Sequence, residues 1–112
     1  MTYEIVPIAE RHIPSFHEAV DVVARERKYL AFLEAPPLED TRAFVLSNID
    51  KGYPQFVVLE ANRVVGWCDV LQNRTRVVHS HCGTLGIGLL PQFRGKGIGR
   101  RLMQRTLVAH LD

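Results

Sequence analysis

The chain has 112 residues, 46% of them hydrophobic and 23% charged, with a formal net charge of +2 at neutral pH. That length suits one compact domain with a real core over residues 1–112 and excludes a second. So small a net charge gives no ground for a nucleic-acid or membrane partner; no apolar run nears the roughly 18 residues needed to cross a bilayer, and with no basic-then-apolar leader a cytoplasmic location is expected.

Residues 3–8 are predicted as a strand. Pro14 then opens a helix in which Phe16, Val20, Val23 and Ala24 recur at helical spacing. After the pivot Glu34-Ala35-Pro36-Pro37, Glu39 and Asp40 suit the start of a second helix. Leu38, Val45 and Ile49 are expected to share its apolar face, and Lys51-Gly52 to end it. Residues 55–60 and 64–71 read as a β-hairpin about a turn at Asn62-Arg63, with Trp67 belonging to the core rather than to a ligand contact.

A second polar turn over residues 72–76 leads into a long apolar strand, 77–90, where Gly83, Gly86 and Gly88 call for an irregular or closely approached backbone. From Gly97 onward, Ile98, Leu102, Met103, Leu107 and Leu111 fall at three- and four-residue steps and mark a final helix. Cys68 and Cys82 lack the CxxC spacing of a zinc or redox site, so no metal is expected and buried free thiols are the simple reading. Their places on neighbouring predicted strands also leave a pairing between them open.

The chemistry concentrates between Leu85 and Arg100, where a strand ends at Pro91 and the glycine-rich turn Arg94-Gly95-Lys96-Gly97-Ile98-Gly99-Arg100 enters a helix. The first turn of a helix has amides without internal partners and carries the positive end of the macrodipole, so such a turn is an anion cradle. Glycines let the backbone approach a phosphate closely. Between Val70 and Leu111 there is no Asp or Glu, while Arg74, Arg76, Arg94, Lys96, Arg100, Arg101 and Arg105 are all basic. A charge run alone is more often a solvated helix face; the strand-turn-helix context favours the anion site. A Walker A loop fails because Gly97 follows Lys96, and a dinucleotide fingerprint fails on glycine spacing.

Arg94, Gly97 and Gly99 fit an RxxGxG pattern, and the run 86–102 resembles the main coenzyme-binding motif of the GNAT superfamily of acyl-CoA-dependent N-acetyltransferases. The resemblance covers nearly the whole chain. It implies an α/β fold of the α+β type: a mixed, mostly antiparallel sheet flanked by helices in the order β-α-α-β-β-β-α. The function implied is acetyl transfer from acetyl-CoA to a primary amine of a small molecule or peptide by direct attack. Main chain near Ile87 and Leu89 is implied to hold the pantetheine arm, and Arg94, Gly95, Lys96, Gly97, Ile98, Gly99 and Arg100 the pyrophosphate. The Leu89 amide is implied to stabilise the developing oxyanion.

An alkylamine is mostly protonated at neutral pH, so something must remove a proton before attack. His79 and His81 alternate onto one strand face, and His81, nearer the thioester end, is the better candidate base, against a purely structural sheet histidine. Glu26 and Tyr29 fall where such enzymes shape the acceptor pocket.

Domains of this superfamily normally continue past the last helix with further strands and a helix, which this chain lacks. A partial chain, or a homodimer in which a second copy covers the exposed edge, is therefore expected. The alternatives to an enzyme are a non-catalytic acyl-CoA-binding module and, lower in order, a nucleic-acid-binding domain using the basic surface of residues 94–105.

Overall fold

The computed structural model describes residues 2–26, 34–72 and 83–111. Strand β1 (Glu4–Pro7) leads through a short 3-10 turn (Glu10–His12) into helix α1 (Ile13–Arg25), and α2 spans Leu38–Lys51. Strands β2 (Gln55–Glu60), β3 (Arg63–Gln72) and β4 (Gly83–Leu89) follow, then a 3-10 turn (Pro91–Phe93) and α3 (Ile98–Leu111). This is the predicted order and the predicted mixed architecture. Among the described residues the strands form one antiparallel sheet in the order β1-β2-β3-β4, with β4 at an edge.

Local sequence explains each element. Pro14 sits in the first turn of α1, where its missing N–H costs nothing, and Ile13, Phe16, Ala19, Val20, Val23 and Ala24 bury one stripe. Acidic Glu39 and Asp40 complement the N-terminal dipole of α2. The helix ends where Gly52 turns left-handed at φ 72°, so that the Gly52 and Tyr53 amides donate back to the Ile49 and Asn48 carbonyls. The buried stripe of α2 differs from the expected one, because Leu38 and Ile49 are exposed and only Val45 is buried with Thr41 and Asn48. Polar Asn48 belongs inside because its side-chain amide donates to the side-chain Oε1 of Gln55 at 3.0 Å.

The β2–β3 turn lies one residue earlier than expected: Ala61 and Asn62 are both left-handed, at φ 51° and 65°, which matches the twist of a tight two-residue hairpin. Further along, the β2–β3 register slips by one between Val58 and Leu59, which leaves Val65 as an extra residue on β3. There the Val64 amide leaves the ladder and donates to the Ser15 hydroxyl on α1 at 2.8 Å. Of the strand expected over 77–90, the part 83–89 is observed, and residues 77–82 with Cys82 lie outside the described residues.

Alternation along β3 sends Trp67 and Asp69 toward α1 and α2, and Cys68 toward α3, where it meets Thr106. The two helical layers thus cover opposite sheet faces. Trp67 meets Phe16 edge-to-face with centroids 5.7 Å apart, confirming its place in the core. The buried stripe of α3 is Ile98, Leu102 and Thr106, whereas Leu107, expected inside, is exposed beside Val108.

The β4 glycines also find their reason in this packing. Gly88 faces Trp67 across the ladder, and a Cβ there would lie 2.4 Å from the indole ring. Gly88→Ala is accordingly expected to lower stability by about 1–3 kcal/mol, the usual range for overpacking, and chemical denaturation will read it as a lower midpoint at unchanged slope.

Candidate active site

The turn between β4 and α3 has the backbone that an anion cradle needs. Gly95 and Gly97 are left-handed, at φ 76° and 79°, and nothing lies within 4 Å of where their side chains would begin. Here glycine is required by conformation rather than by crowding. α3 starts directly after, its Arg101 amide donating to the Gly97 carbonyl, so the amides of its first turn lack helical partners and carry the positive end of its dipole.

Leu89, Arg94, Gly95, Gly97, Gly99 and Arg100 line one cavity of about 640 Å³ together with Arg101 and Gln104. Six of the nine residues expected to hold the coenzyme are therefore gathered around one space. Ile87 instead lines a smaller adjoining space of about 220 Å³ with Val23, Gly88, Leu89 and Arg94. Lys96 is exposed outside the cavity, and the Ile98 side chain is fully buried in the core, leaving only its main chain toward the turn. Gln104, which no sequence motif marks, joins the lining because it lies one turn beyond Arg100 on the same face of α3.

Arg94 is committed differently from what its basic character suggests. Its Nε donates to the Leu89 carbonyl at 3.0 Å, and its two terminal nitrogens donate to both carboxylate oxygens of Glu26 at 2.8 and 2.6 Å. The guanidinium thus ties the end of α1 to the end of β4 and braces the turn, in the bidentate geometry that makes such pairs strong. Glu26, expected at an acceptor pocket, serves this brace. Glu26→Gln keeps the size and removes the charge; a loss of about 1–2 kcal/mol in turn rigidity is expected to weaken coenzyme affinity about tenfold in a calorimetric titration. Tyr29, His79 and the candidate base His81 lie outside the described residues.

A second cavity, about 320 Å³, opens on the opposite face of the sheet between α1, α2 and β3, lined by Phe16, Val20, Pro36, Asp40, Thr41, Phe44, Trp67 and Asp69. Asp69 is 7% exposed, and among the described residues no hydrogen bond or ion pair reaches its carboxylate. Burial pushes its carboxyl up to about 6 from an ordinary 3.8. Directly across the ladder stands Gly86, whose absent side chain leaves room for the Asp69 carboxylate. The Cys68 thiol, by contrast, is pushed up by burial and is not a reactive thiolate. Among the described residues no cluster of three His, Cys, Asp or Glu could hold a metal, and no helix is long and apolar enough to cross a membrane.

A β4 edge, a glycine turn opening onto helix amides without helical partners and an arginine joining strand to turn thus lie together at one end of the sheet. Residues 17–110 match the acetyltransferase (GNAT) family, and the chain belongs to it. Its fold is that of an N-acetyltransferase from Staphylococcus aureus Mu50, with a TM-score of 0.87, 18% identity, and coverage of 99% of this chain and 68% of the other. It is also that of yncA from Salmonella typhimurium, solved with its cofactor acetyl-CoA (TM-score 0.87, 18% identity, 99% and 65% coverage). A phosphinothricin acetyltransferase from Sinorhizobium meliloti in complex with AcCoA is similar at a TM-score of 0.85 and 22% identity, over 96% of this chain and 59% of that one. The chain thus spans about two thirds or less of the length of these structures. No curated protein sequence matches it.

Proposed function

We propose that this domain binds acetyl-CoA across the β4–α3 turn and transfers the acetyl group to a primary amine of a small molecule or peptide. The observation that carries the reading is the pair of left-handed glycines opening onto α3, with Leu89, Arg94, Gly99 and Arg100 around the same cavity. A pyrophosphate fits there, meeting the free amides of the first helical turn beside Arg100 and Arg101, with no acidic residue lining the cavity among the described residues. That two solved neighbours carry acetyl-CoA supports the choice of coenzyme.

Acetyl-CoA supplies an acetyl group activated as a thioester. The main chain of Ile87 and Leu89, on the β4 edge that is unpaired among the described residues, is the candidate hold for its peptide-like arm. The Leu89 amide is assigned to the oxyanion that forms when the amine attacks. Arg94 does not need to touch the coenzyme to matter: by fixing the Leu89 carbonyl it fixes the orientation of the main chain at the strand end. His81 is the candidate acceptor of the ammonium proton. Nitrogen bonds to the acetyl carbon first; when the oxyanion collapses the carbon–sulfur bond breaks, and the proton that the nitrogen then loses balances the one taken up by the departing thiolate. The location proposed is cytoplasmic.

The test is calorimetric titration of acetyl-CoA into the 112-residue chain, followed by a thiol-release assay with amines. Binding with amine-dependent thiol release supports the enzyme; binding without release for any amine favours a non-catalytic acyl-CoA-binding module. A folded chain that does not bind acetyl-CoA overturns the coenzyme reading.

A further inference from the structure

We propose that the cavity between α1, α2 and β3 is the acceptor subsite and that the Asp69 carboxylate in it selects a cationic primary amine carried on an apolar, ring-sized body. The inference rests on the acetyltransferase reading for the reaction, but its own observations lie on the other face of the sheet.

The lining of the cavity is chemically one-sided. Phe16, Val20, Phe44 and Trp67 supply apolar and aromatic wall, and among the described residues the only charged groups lining it are the carboxylates of Asp40 and Asp69, with no Lys, Arg or His. Such walls take an apolar body, and aromatic faces attract cations. The volume, about 320 Å³, is at the small end of ligand pockets.

The position of Asp69 is the stronger argument. Buried carboxylates are normally paired or hydrogen-bonded, because an isolated charge in an apolar setting is costly. Asp69 is buried with no such partner among the described residues. Among the described residues, Asp40 from α2, which adds negative charge, shares the cavity with it, and the rest of the lining is uncharged. An ammonium entering the cavity would supply the missing partner. Its carboxyl, raised to about 6, is still mainly ionised at neutral pH and able to pair with it.

Register connects this subsite to the coenzyme. Asp69 is directly opposite Gly86 on β4, and Gly86 is followed by Ile87, assigned above to the coenzyme arm. With no side chain at Gly86, the Asp69 carboxylate lies against the strand carrying that arm, so an ammonium paired with Asp69 would be held beside that strand. The same charges disfavour free amino acids, whose carboxylate would face Asp40 and Asp69. Simple aralkylamines are therefore preferred over α-amino acids.

The experiment titrates three probes of one shape into the full chain: phenethylamine, its neutral counterpart 2-phenylethanol, and phenylalanine. Phenethylamine is expected to bind about tenfold or more tighter than either of the others, the scale of one charge-assisted hydrogen bond. Asp69→Asn is expected to remove the preference over the alcohol while leaving alcohol affinity unchanged, and Phe44→Ala to weaken amine and alcohol by the same factor. A purely structural role for Asp69 would not erase discrimination between charged and neutral probes. Equal binding of amine and alcohol by the unmodified chain, no binding of either, or a preference surviving in Asp69→Asn each overturns the proposal. Should that variant not fold, the unmodified chain and Phe44→Ala still decide. A parallel acetyl-CoA titration, expected to be unaffected by Asp69→Asn, keeps failure of the coenzyme reading separate from failure of this one.

Discussion

Gly97→Glu is expected to abolish acetyl-CoA binding in a calorimetric titration. Two effects act in the same direction. Gly97 holds φ at 79°, a left-handed conformation that costs a residue with a side chain about 1–2 kcal/mol. A carboxylate near the pyrophosphate would add repulsion of about 3 kcal/mol per charge pair at 5 Å in a surface-like dielectric, reduced by salt. Together these reach about 4 kcal/mol, a loss on the order of 1,000-fold. Gly97→Ala separates the two, since nothing crowds the position and only the conformational part remains, about tenfold. Unchanged affinity in the Glu variant would remove this turn from the coenzyme site.

Asp69→Asn is expected to stabilise the fold at neutral pH, because the carboxyl stands at about 6 in the folded chain against an ordinary 3.8. The folded state therefore holds this proton more tightly than the unfolded one, and ionising Asp69 weakens folding. Below 3.8 the group is protonated in both states and has no effect; between 3.8 and about 6 stability falls as pH rises, and above about 6 the whole penalty is present. That gap corresponds to about 3 kcal/mol, from which the imperfect burial of the amide subtracts about 1–2 kcal/mol. Denaturation at pH 7 should show the variant more stable by about 1–2 kcal/mol, with the advantage gone at pH 4. A variant less stable at pH 7 would mean that the carboxylate is satisfied where it stands.

The turn proposed for the coenzyme is legible in the sequence because its physics is local. Arg94 to Arg100 combines glycine spacing, a preceding strand and a following helix within a few residues, and Gly95 and Gly97 prove to be where positive φ occurs. The brace between Glu26 and Arg94 joins residues 68 apart, and no local pattern announces a contact at that separation. In α2, Leu38 and Ile49 are hydrophobic yet exposed, while Asn48 is buried by a partner on β2 that only the assembled sheet supplies. Asp69 left a faint mark: a lone acid in the apolar run 64–71, two residues from Trp67 and so on the same face.

The alternation that sends Trp67 and Asp69 one way and Cys68 the other divides labour between adjacent strands. What would bind the coenzyme is written in β4 and the turn beyond it; what would choose the acceptor is written in β3, α1 and α2. A lineage can thus exchange Asp69 or Phe44 and change its clientele without disturbing Gly95, Gly97 or Arg94. Descendants of one ancestor would be expected to keep the glycine turn while their acceptor pockets drift apart.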